Sequence, residues 1–295
     1  MLYLRLLLPA ADRPVHGRVT PERPDEVELL DERRSASLRA TDGELFADLH
    51  PSGQRLPFTP ETCDAWQGGD PTAPRLLAPL VPGKIIGVGS NYVEHTREMG
   101  KPLPEEPVLF FKPTTALLDP GGAIIRPEGF TRVDYEGELA VVIGRRLHRA
   151  APEDVPAALF GYCALNDVSA RELQRKDGQF TRAKGFDTFC PLGPALQTDI
   201  EQALDPARFT LRTFLNGKLV QDAAQDRFLF TVPELVACAS QVMTLLPGDV
   251  ITTGTPAGVG NLSPGDVVSI EIGGLPPLRS RVVAGPAPRP VRRSV

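Results

Sequence analysis

The stretch Asp134-Tyr135-Glu136-Gly137-Glu138-Leu139-Ala140-Val141-Val142-Ile143 joins three acids to an apolar run. Successive side chains of a strand alternate, so Asp134, Glu136 and Glu138 would project from one face at intervals of about 7 Å. The residues after Glu138 are apolar on both faces, which is typical of a buried strand. Acids leading into such an interior repel one another unless a cation compensates them. The stretch therefore predicts a buried strand, and it leaves two interpretations of the acids equally open: a cation site, or a strand end exposed to solvent.

A second acidic position follows another apolar strand. In Asn166-Asp167-Val168-Ser169-Ala170-Arg171, the residue Asp167 falls at the strand end, where a helix is predicted to open. It could serve there as the helix N-cap. With Glu136 and Glu138 it would instead form an all-oxygen set, which suits Mg²⁺ or Mn²⁺ and is poor for zinc. Both interpretations stay open on the residues alone.

One histidine has a carboxylate partner at helical spacing. His95 lies in a short predicted helix, Tyr92–Met99, and Glu98 follows on the same face. A carboxylate beside an imidazole fixes its tautomer and raises its basicity, as a general base that activates water requires. An exposed His/Glu pair without function would show the same spacing.

Three further residues are candidates for binding an anion. Lys112 ends the predicted strand Val108–Lys112, and Lys184 lies in the stretch Thr181–Asp187. Either could neutralise a carboxylate or a developing enolate. Thr255 follows a strand and could offer its hydroxyl together with backbone N–H groups. Lysines that are simply exposed to solvent, and a turn without function, would show the same sequence.

The chain is divided into a small leading unit and a larger second part. Residues 1–78 alternate short apolar runs with turns, as a small β-rich domain would, and Gly68–Pro74 is dense in turn residues. Residues 79–284 are predicted to form the catalytic domain, and 285–295 a mobile tail. Strands are predicted at Lys84–Val88, Val108–Lys112, Leu139–Ile143, Phe160–Asn166, Phe209–Leu215, Leu219–Asp222, Val250–Thr253, Val267–Ile272 and Leu278–Val283. Helices are predicted at Tyr92–Met99, Val168–Arg175 and Pro233–Leu245. Strands that outnumber helices indicate a β-rich α+β fold.

Composition excludes several classes of protein. A net charge of -5 gives no support to nucleic acid as a partner, since phosphate binding usually shows as a basic excess. No apolar run approaches the length that crosses a bilayer. The four cysteines are scattered and form no CxxC pair, which argues for reduced thiols and a cytoplasmic location.

The motifs taken together resemble the fumarylacetoacetate hydrolase family. The matching stretches run in order over about two-thirds of the chain: Gly87-Val88-Gly89-Ser90-Asn91-Tyr92 with His95 and Glu98, Phe111-Lys112-Pro113, Asp134 to Leu139, Asn166 to Arg171, Lys184-Gly185-Phe186-Asp187, and Pro247 to Pro256. The leading unit is similar, more weakly, to the small first domain of some members.

The resemblance implies a mixed β-sandwich roll, a homodimer, and a site for Mg²⁺ or Mn²⁺. It implies Glu136, Glu138 and Asp167 as metal ligands, and His95 with Glu98 as the dyad that activates water. It further implies that Lys184 assists the developing enolate and that Lys112, Gln174 and Thr255 contact the substrate.

Several reactions remain compatible with this resemblance. The first expectation is hydrolysis of a carbon–carbon bond in an acylpyruvate or fumarylpyruvate-type 2-keto acid, because the His95/Glu98 pair suits water activation. The alternative is isomerisation or decarboxylation of 5-carboxymethyl-2-hydroxymuconate or 2-hydroxyhepta-2,4-diene-1,7-dioate, or decarboxylation or tautomerisation of oxaloacetate. In all of them the metal chelates a 2-keto acid and stabilises an enolate.

Overall fold

Strands dominate the computed structural model, which describes residues 1–9, 11–32, 49–68, 70–205, 208–223 and 227–289. The strands are β1 (Leu2–Leu7), β2 (Val15–Thr20), β3 (Arg23–Glu32), β4 (Leu49–Pro57), β5 (Arg75–Leu77), β6 (Ile85–Gly89), β7 (Val108–Lys112), β8 (Leu117–Leu118), β9 (Ala123–Pro127), β10 (Val133–Tyr135), β11 (Gly137–Ile143), β12 (Leu159–Asn166), β13 (Ser169–Ala170), β14 (Cys190–Gln197), β15 (Leu211–Leu215), β16 (Lys218–Ala223), β17 (Val250–Thr252), β18 (Gly260–Asn261), β19 (Val267–Ile272) and β20 (Leu278–Gly285). The helices are α1 (Pro60–Gln67), α2 (Val93–Glu98), α3 (Arg171–Asp177), α4 (Thr181–Lys184), α5 (Ile200–Leu204) and α6 (Val232–Val242).

Within the described residues these strands form three sheets. The largest has the order β4-β3-β2-β1-β14-β12-β11-β17-β6-β7, with β5 added to β1 and β8 to β14. A five-stranded sheet has the order β16-β15-β19-β20-β9, and a small one the order β13-β10-β18. Most pairs are antiparallel, but β17 with β6, β20 with β9 and β14 with β8 are parallel. The predicted β-rich fold with mixed sheets is therefore confirmed.

The main core lies between the large sheet, the five-stranded sheet and α6. It includes Leu139 and Val141 of β11, Ile270 of β19 and Leu235 of α6, all fully buried or nearly so. All seven residues of β11 are buried, as its apolar sequence on both faces predicts. Burial on both sides makes β11 a rigid support for the acids at its start.

Local sequence signals explain two of the elements. At the N-terminus of α6, the Thr231 hydroxyl accepts from the Glu234 N–H while the Glu234 carboxylate accepts from the Thr231 N–H, which is a capping box. Between β15 and β16, Asn216 and Gly217 both have positive φ, at 52° and 78°. Positive φ at both central residues is what a two-residue hairpin requires, and Asn and Gly both tolerate it.

The C-terminal end of the second part differs from the sequence expectation in one respect. Gly285 is the last residue of β20 and pairs with Pro127, so it does not belong to a tail. Residues 290–295 lie outside the described residues, and the mobility of the tail stays a prediction. No helix in the described part of the chain has the length and apolar character needed to cross a membrane.

Candidate metal centre

The acidic stretch of the site is divided between two sheets. β10 ends at Tyr135 in the small sheet, and β11 begins at Gly137 in the large one. Glu136 lies between the two strands, so the stretch forms two strands instead of one. The predicted strand Leu139–Ile143 lies within β11. A Cβ atom at Gly137 would lie 2.2 Å from the Thr213 hydroxyl oxygen, so only glycine fits this position. Glu136 and Glu138, on either side of it, are both buried.

Asp167 reaches the same site from the end of β12. Its N–H donates to the Glu136 carbonyl oxygen at 2.9 Å, and the Asn166 side-chain oxygen accepts from the Glu136 N–H at 2.9 Å. The helix that follows has Ala170 as its N-cap, without a side-chain hydrogen bond. The interpretation of Asp167 as a helix cap is therefore wrong, and its carboxylate faces the glutamates instead.

The three carboxylates meet, as a metal site requires. Glu136, Glu138 and Asp167 are buried, and one oxygen from each lies within 4.8 Å of the others. Burial raises the pKa of Glu138 well above its usual range, and the charges of Asp167 and Glu136 raise it further. Such a group is difficult to ionise without a cation. The three side chains offer only oxygen ligands, which fits a hard divalent ion such as Mg²⁺ or Mn²⁺.

Two buried lysines lie against these acids. The Lys184 ammonium donates to Glu136 Oε2 at 2.6 Å, to Ser169 Oγ at 2.8 Å and to Asp167. Burial alone would lower the pKa of Lys184, but Asp167 and Glu136 outweigh it and raise the pKa. Lys112 donates to Asp167 Oδ1 and to the Lys184 carbonyl oxygen, each at 2.7 Å. Lys184 therefore stays charged. The Lys112 ammonium links the backbone of Lys184 to the Asp167 carboxylate.

Arg171 connects the site to the small sheet. Its guanidinium donates to Asp134 Oδ2 at 2.7 Å, to Glu136 Oε1 at 2.5 Å and to Gln174 Oε1 at 2.9 Å. Burial alone would raise the pKa of Glu136, but Arg171 and Lys184 bring it well below its usual range. Glu136 is thus held ionised, and Gln174 is fixed beside it.

His95 and Glu98 form a pair on α2. His95 Nδ1 lies 3.2 Å from Glu98 Oε2, and the Gly258 N–H donates to both Glu98 carboxylate oxygens at 3.3 Å. Because an ionised carboxylate only accepts, Nδ1 carries the proton and Nε2 is the basic nitrogen. Burial lowers the pKa of His95, although Glu136 and Glu98 partly oppose that shift. His95 is therefore neutral near neutral pH and able to accept a proton.

The turn after β17 completes the site. The Thr255 hydroxyl donates to the Gly137 carbonyl oxygen at 2.9 Å and accepts from the Gln221 amide at 2.8 Å. The Gly254 N–H donates to Glu138 Oε2 at 3.0 Å. These bonds hold the turn against the start of β11, so the Thr255 side chain has a fixed position.

A small pocket joins these groups. Its wall is formed by Val88, Gly89, Ser90, His95, Met99, Lys101, Glu136, Glu138, Arg171, Gln174, Phe180, Lys184 and Thr255. Of the site residues predicted from the sequence, Glu98, Lys112 and Asp167 do not line it. Glu98 is bonded to His95, and the other two to Lys184, so each supports a residue of the wall.

The match to a family model decides the family. Residues 84–283 match the model for the fumarylacetoacetate (FAA) hydrolase C-terminal domain. The chain belongs to the fumarylacetoacetate hydrolase family. All nine residues predicted for the site, from His95 to Thr255, lie within the matched range. The family suggested by the sequence motifs is thereby confirmed.

Family relatives and solved structures cover most of the chain. A mitochondrial oxaloacetate tautomerase of Xenopus laevis is 44% identical over 70% of this chain and 68% of its own length. The crystal structure of a 5-carboxymethyl-2-hydroxymuconate delta-isomerase from Mycobacterium smegmatis has a TM-score of 0.78 and 38% identity, covering 97% of this chain and 100% of that one. A structure described as a fumarylacetoacetate hydrolase, from Exiguobacterium antarcticum, has a TM-score of 0.76 and 32% identity, covering 97% and 100%.

Two residues of this family site were not identified from the sequence. Arg171 ends the motif Asn166 to Arg171, but the sequence around it indicates no role for its side chain. A buried acid such as Asp134 needs a cation, and that requirement was the available signal. Gln221 lies in the hairpin strand β16 and accepts from the Gly137 N–H at 3.1 Å. Nothing in its local sequence marks it, because its role depends on the packing of one sheet against another.

Proposed function

We propose that the chain is an Mg²⁺- or Mn²⁺-dependent hydrolase that cleaves a carbon–carbon bond in acylpyruvate or fumarylpyruvate-type 2-keto acids. The observation that carries the proposal is the position of His95. Its imidazole, neutral and bonded to Glu98, lines the same small pocket as Glu136 and Glu138. A base beside the place where a keto acid would be chelated is what hydrolysis of a diketone requires.

Glu136, Glu138 and Asp167 would hold the metal. When bound, the ion would act as a Lewis acid toward the 2-keto acid and stabilise negative charge on its oxygens. Lys184 adds a second, fixed positive charge beside the same acids, because its ammonium is buried and stays protonated. Preorganised charge of this kind stabilises a developing enolate without reorganisation during the reaction.

The chain's own groups account for the proton transfers. His95 Nε2 takes a proton from water while Nδ1–H stays bonded to Glu98. The oxygen of that water bonds to the distal acyl carbon, the carbon–carbon bond breaks, and its electron pair remains on the pyruvate fragment as an enolate. The proton held by His95 then returns to the enolate carbon, so atoms and charge balance. Thr255 and Gln174, both fixed by hydrogen bonds, would orient the substrate.

Enolate chemistry without hydrolysis is the second candidate. Relatives named for it favour this reading: the oxaloacetate tautomerase of Xenopus laevis and the delta-isomerase of Mycobacterium smegmatis. In a tautomerase or isomerase, His95 would move a proton between carbon atoms or between carbon and oxygen. No water would be consumed. The same acids and lysines would serve both reactions, so the substrate decides between them.

A substrate panel tests the proposal. Acetylpyruvate, fumarylpyruvate and oxaloacetate are incubated with the protein and Mg²⁺ or Mn²⁺. Cleavage and decarboxylation products are identified by mass, and keto and enol forms are distinguished by ultraviolet absorbance. Pyruvate with the matching acid supports the hydrolase. Tautomerised or decarboxylated products without any cleavage of acylpyruvates would replace it with the second candidate.

A variant tests the role of the dyad. His95→Ala is expected to lower turnover of acylpyruvates by about 10² to 10⁴, the usual range for a general base. Metal affinity, measured by titration calorimetry, should change little, because His95 is not among the three grouped carboxylates. His148→Ala is the control, since His148 is exposed and does not line the pocket. Full hydrolysis by His95→Ala would rule out the dyad.

A further inference from the structure

The metal pocket continues into an outer chamber. Met99, Lys101, Arg171, Gln174 and Phe180 line both spaces. The outer chamber adds Glu98, Arg132, Arg175 and Gly178. A substrate anchored at the metal site and long enough to pass Gln174 would therefore have its far end in this chamber.

The chamber is rich in positive charge although the chain as a whole carries -5. Four of its residues are basic, and Glu98 is its single acid among the lining residues. Two of the four bases already have carboxylate partners, because Arg132 and Arg171 both donate to Asp134. Glu98 in turn accepts from His95 and from a backbone N–H. The surplus therefore lies with the remaining two bases, Lys101 and Arg175.

Lys101 and Arg175 have no ion-pair partner among the described residues. The Lys101 ammonium lies 5.5 Å from the centroid of the Phe180 ring, which forms part of both walls. Arg175 extends from α3, one residue beyond Gln174 of the inner pocket. Both side chains are exposed, so a carboxylate could reach them without displacing a protein group.

We propose that Lys101 and Arg175 form a subsite for a second carboxylate at the distal end of the substrate, so that the protein selects 2-keto diacids over 2-keto monoacids. The inference rests on the proposed function in one respect: the other end of the substrate is a 2-keto acid held at the carboxylate cluster. Guanidinium and ammonium groups bind carboxylates through charge-assisted hydrogen bonds. The two residues would then set specificity without taking part in the chemistry.

The alternative is general steering, in which basic residues at the mouth attract any anion. Steering also favours a dianion over a monoanion, because the attraction grows with ligand charge, but it weakens as salt increases and any nearby base contributes to it. A subsite discriminates between two ligands of equal length that differ only in the distal group. The ratio of their affinities at high salt, and its loss in variants of these two bases alone, therefore separates the two explanations.

The kinetic test uses Lys101→Met, Arg175→Met and the double variant. For the double variant we expect kcat/KM for fumarylpyruvate to fall about tenfold, which is what two partly exposed ion pairs contribute. The value for acetylpyruvate should fall by a clearly smaller factor, because that substrate has no distal carboxylate, so the ratio of the two values measures the subsite. The control is Lys176→Met with Lys218→Met, which removes the same charge from exposed residues that do not line the chamber.

A binding test keeps the inference separate from the proposed hydrolysis. Calorimetry with Mg²⁺ compares 2-oxoglutarate with 2-oxopentanoate, which have the same carbon count. The unaltered protein should prefer the diacid, and the double variant should lose that preference. Selective binding without turnover of any acylpyruvate would reject the proposed hydrolysis and retain the subsite. Equal affinities in the unaltered protein, or equal loss for both ligands in the variant, would overturn the subsite.

Discussion

Glu138 is an acid whose surroundings oppose its charge. It is 1% exposed, and burial together with Asp167 and Glu136 raises its pKa. The Gly254 N–H is a hydrogen-bond donor to it, which offsets only part of that cost. Ionising Glu138 therefore requires additional positive charge, which a divalent cation held by the three carboxylates would supply.

Replacing Glu138 by Gln tests this directly. The variant should lose metal-dependent activity and most of its affinity for Mg²⁺ and Mn²⁺, because one anionic ligand is removed at nearly constant volume. Without metal its melting temperature should equal or exceed that of the unaltered chain, since repulsion from Asp167 and Glu136 is relieved. Calorimetry and thermal unfolding with and without metal measure both effects. Glu128→Gln, at an exposed position, is the control. Undiminished metal binding in Glu138→Gln would contradict the assignment.

The pH dependence should follow from the state of His95. Burial lowers its pKa, so the imidazole stays neutral as the pH falls through about 6.5, the ordinary value, and is protonated only below it. The acidic limb of kcat/KM should therefore have its midpoint below 6.5. Glu98 raises the pKa of His95, so Glu98→Gln should move the limb to still lower pH. A limb above the ordinary value, or an upward shift in the variant, would show that another group controls it.

At the residue level the sequence marks the acids of the site more clearly than the residues that hold them in place. Glu136, Glu138 and Asp167 were recognisable because acids beside apolar strands are rare. Their meeting was not derivable, since it depends on the crossing at Glu136 between two sheets. Supports such as Arg171 were unassigned because their partners are distant in sequence.

At the scale of elements, proline and glycine residues explain why the sequence does not predict one central strand. Most predicted strands of the second part appear within two or three residues of the predicted bounds. β14 was not predicted, because Pro191, Gly193 and Pro194 interrupt its pattern. It is nevertheless central, pairing with β12 and with β1. Tertiary packing there overrides local preference, which periodicity cannot show.

The turn before α2 is held by one side chain. Asn91 donates to the carbonyl oxygens of Thr253 at 2.9 Å and Phe230 at 3.1 Å, and it accepts from the Phe230 N–H at 2.8 Å. These bonds join the end of β6 to the turn after β17 and to the segment before α6. Ser90, just before it, has a φ of 59°, which is uncommon for a residue other than glycine. Asn91 thus stabilises the backbone that positions His95.

Asn91→Ala should therefore weaken both fold and activity. Loss of three largely buried hydrogen bonds should lower the free energy of unfolding by roughly 2 to 4 kcal/mol. The KM should rise as well, because the turn carries part of the pocket wall. Denaturant unfolding and steady-state kinetics measure the two effects. Gln54→Ala, exposed on β4, should stay within about 0.5 kcal/mol. A change equally small in Asn91→Ala would show that the turn is held by other contacts.

At the scale of the whole molecule, the leading unit is continuous with the large sheet. β1 pairs with β2 on one side and with β14 on the other. The unit also has apolar residues of its own, in a cluster that contains Leu4, Leu6 and Trp66. The sequence indicated the β-rich character of residues 1–78. It could not indicate the shared sheet, because pairing between distant strands leaves no local pattern. The domain boundary stays a prediction.

The homodimer implied by the family resemblance has a candidate location at β7. This strand ends the path of the large sheet in the described part of the chain, so one of its edges has no strand partner there. Phe111 and Val108 on it are 49% and 39% exposed. An exposed edge with apolar side chains invites pairing with another chain and is otherwise a risk of aggregation. We therefore expect two copies of this chain to meet at β7.

Light scattering at micromolar concentration should give a mass about twice the 31.9 kDa of one chain. Phe111→Glu should lower that mass to one chain, because it places a charge on the edge that the second copy would cover. Val242→Glu introduces the same charge at an apolar residue that is 72% exposed on α6, and it should leave the mass unchanged. A monomer mass for the unaltered chain would refute the dimer. A dimer that survives Phe111→Glu would place the interface away from β7.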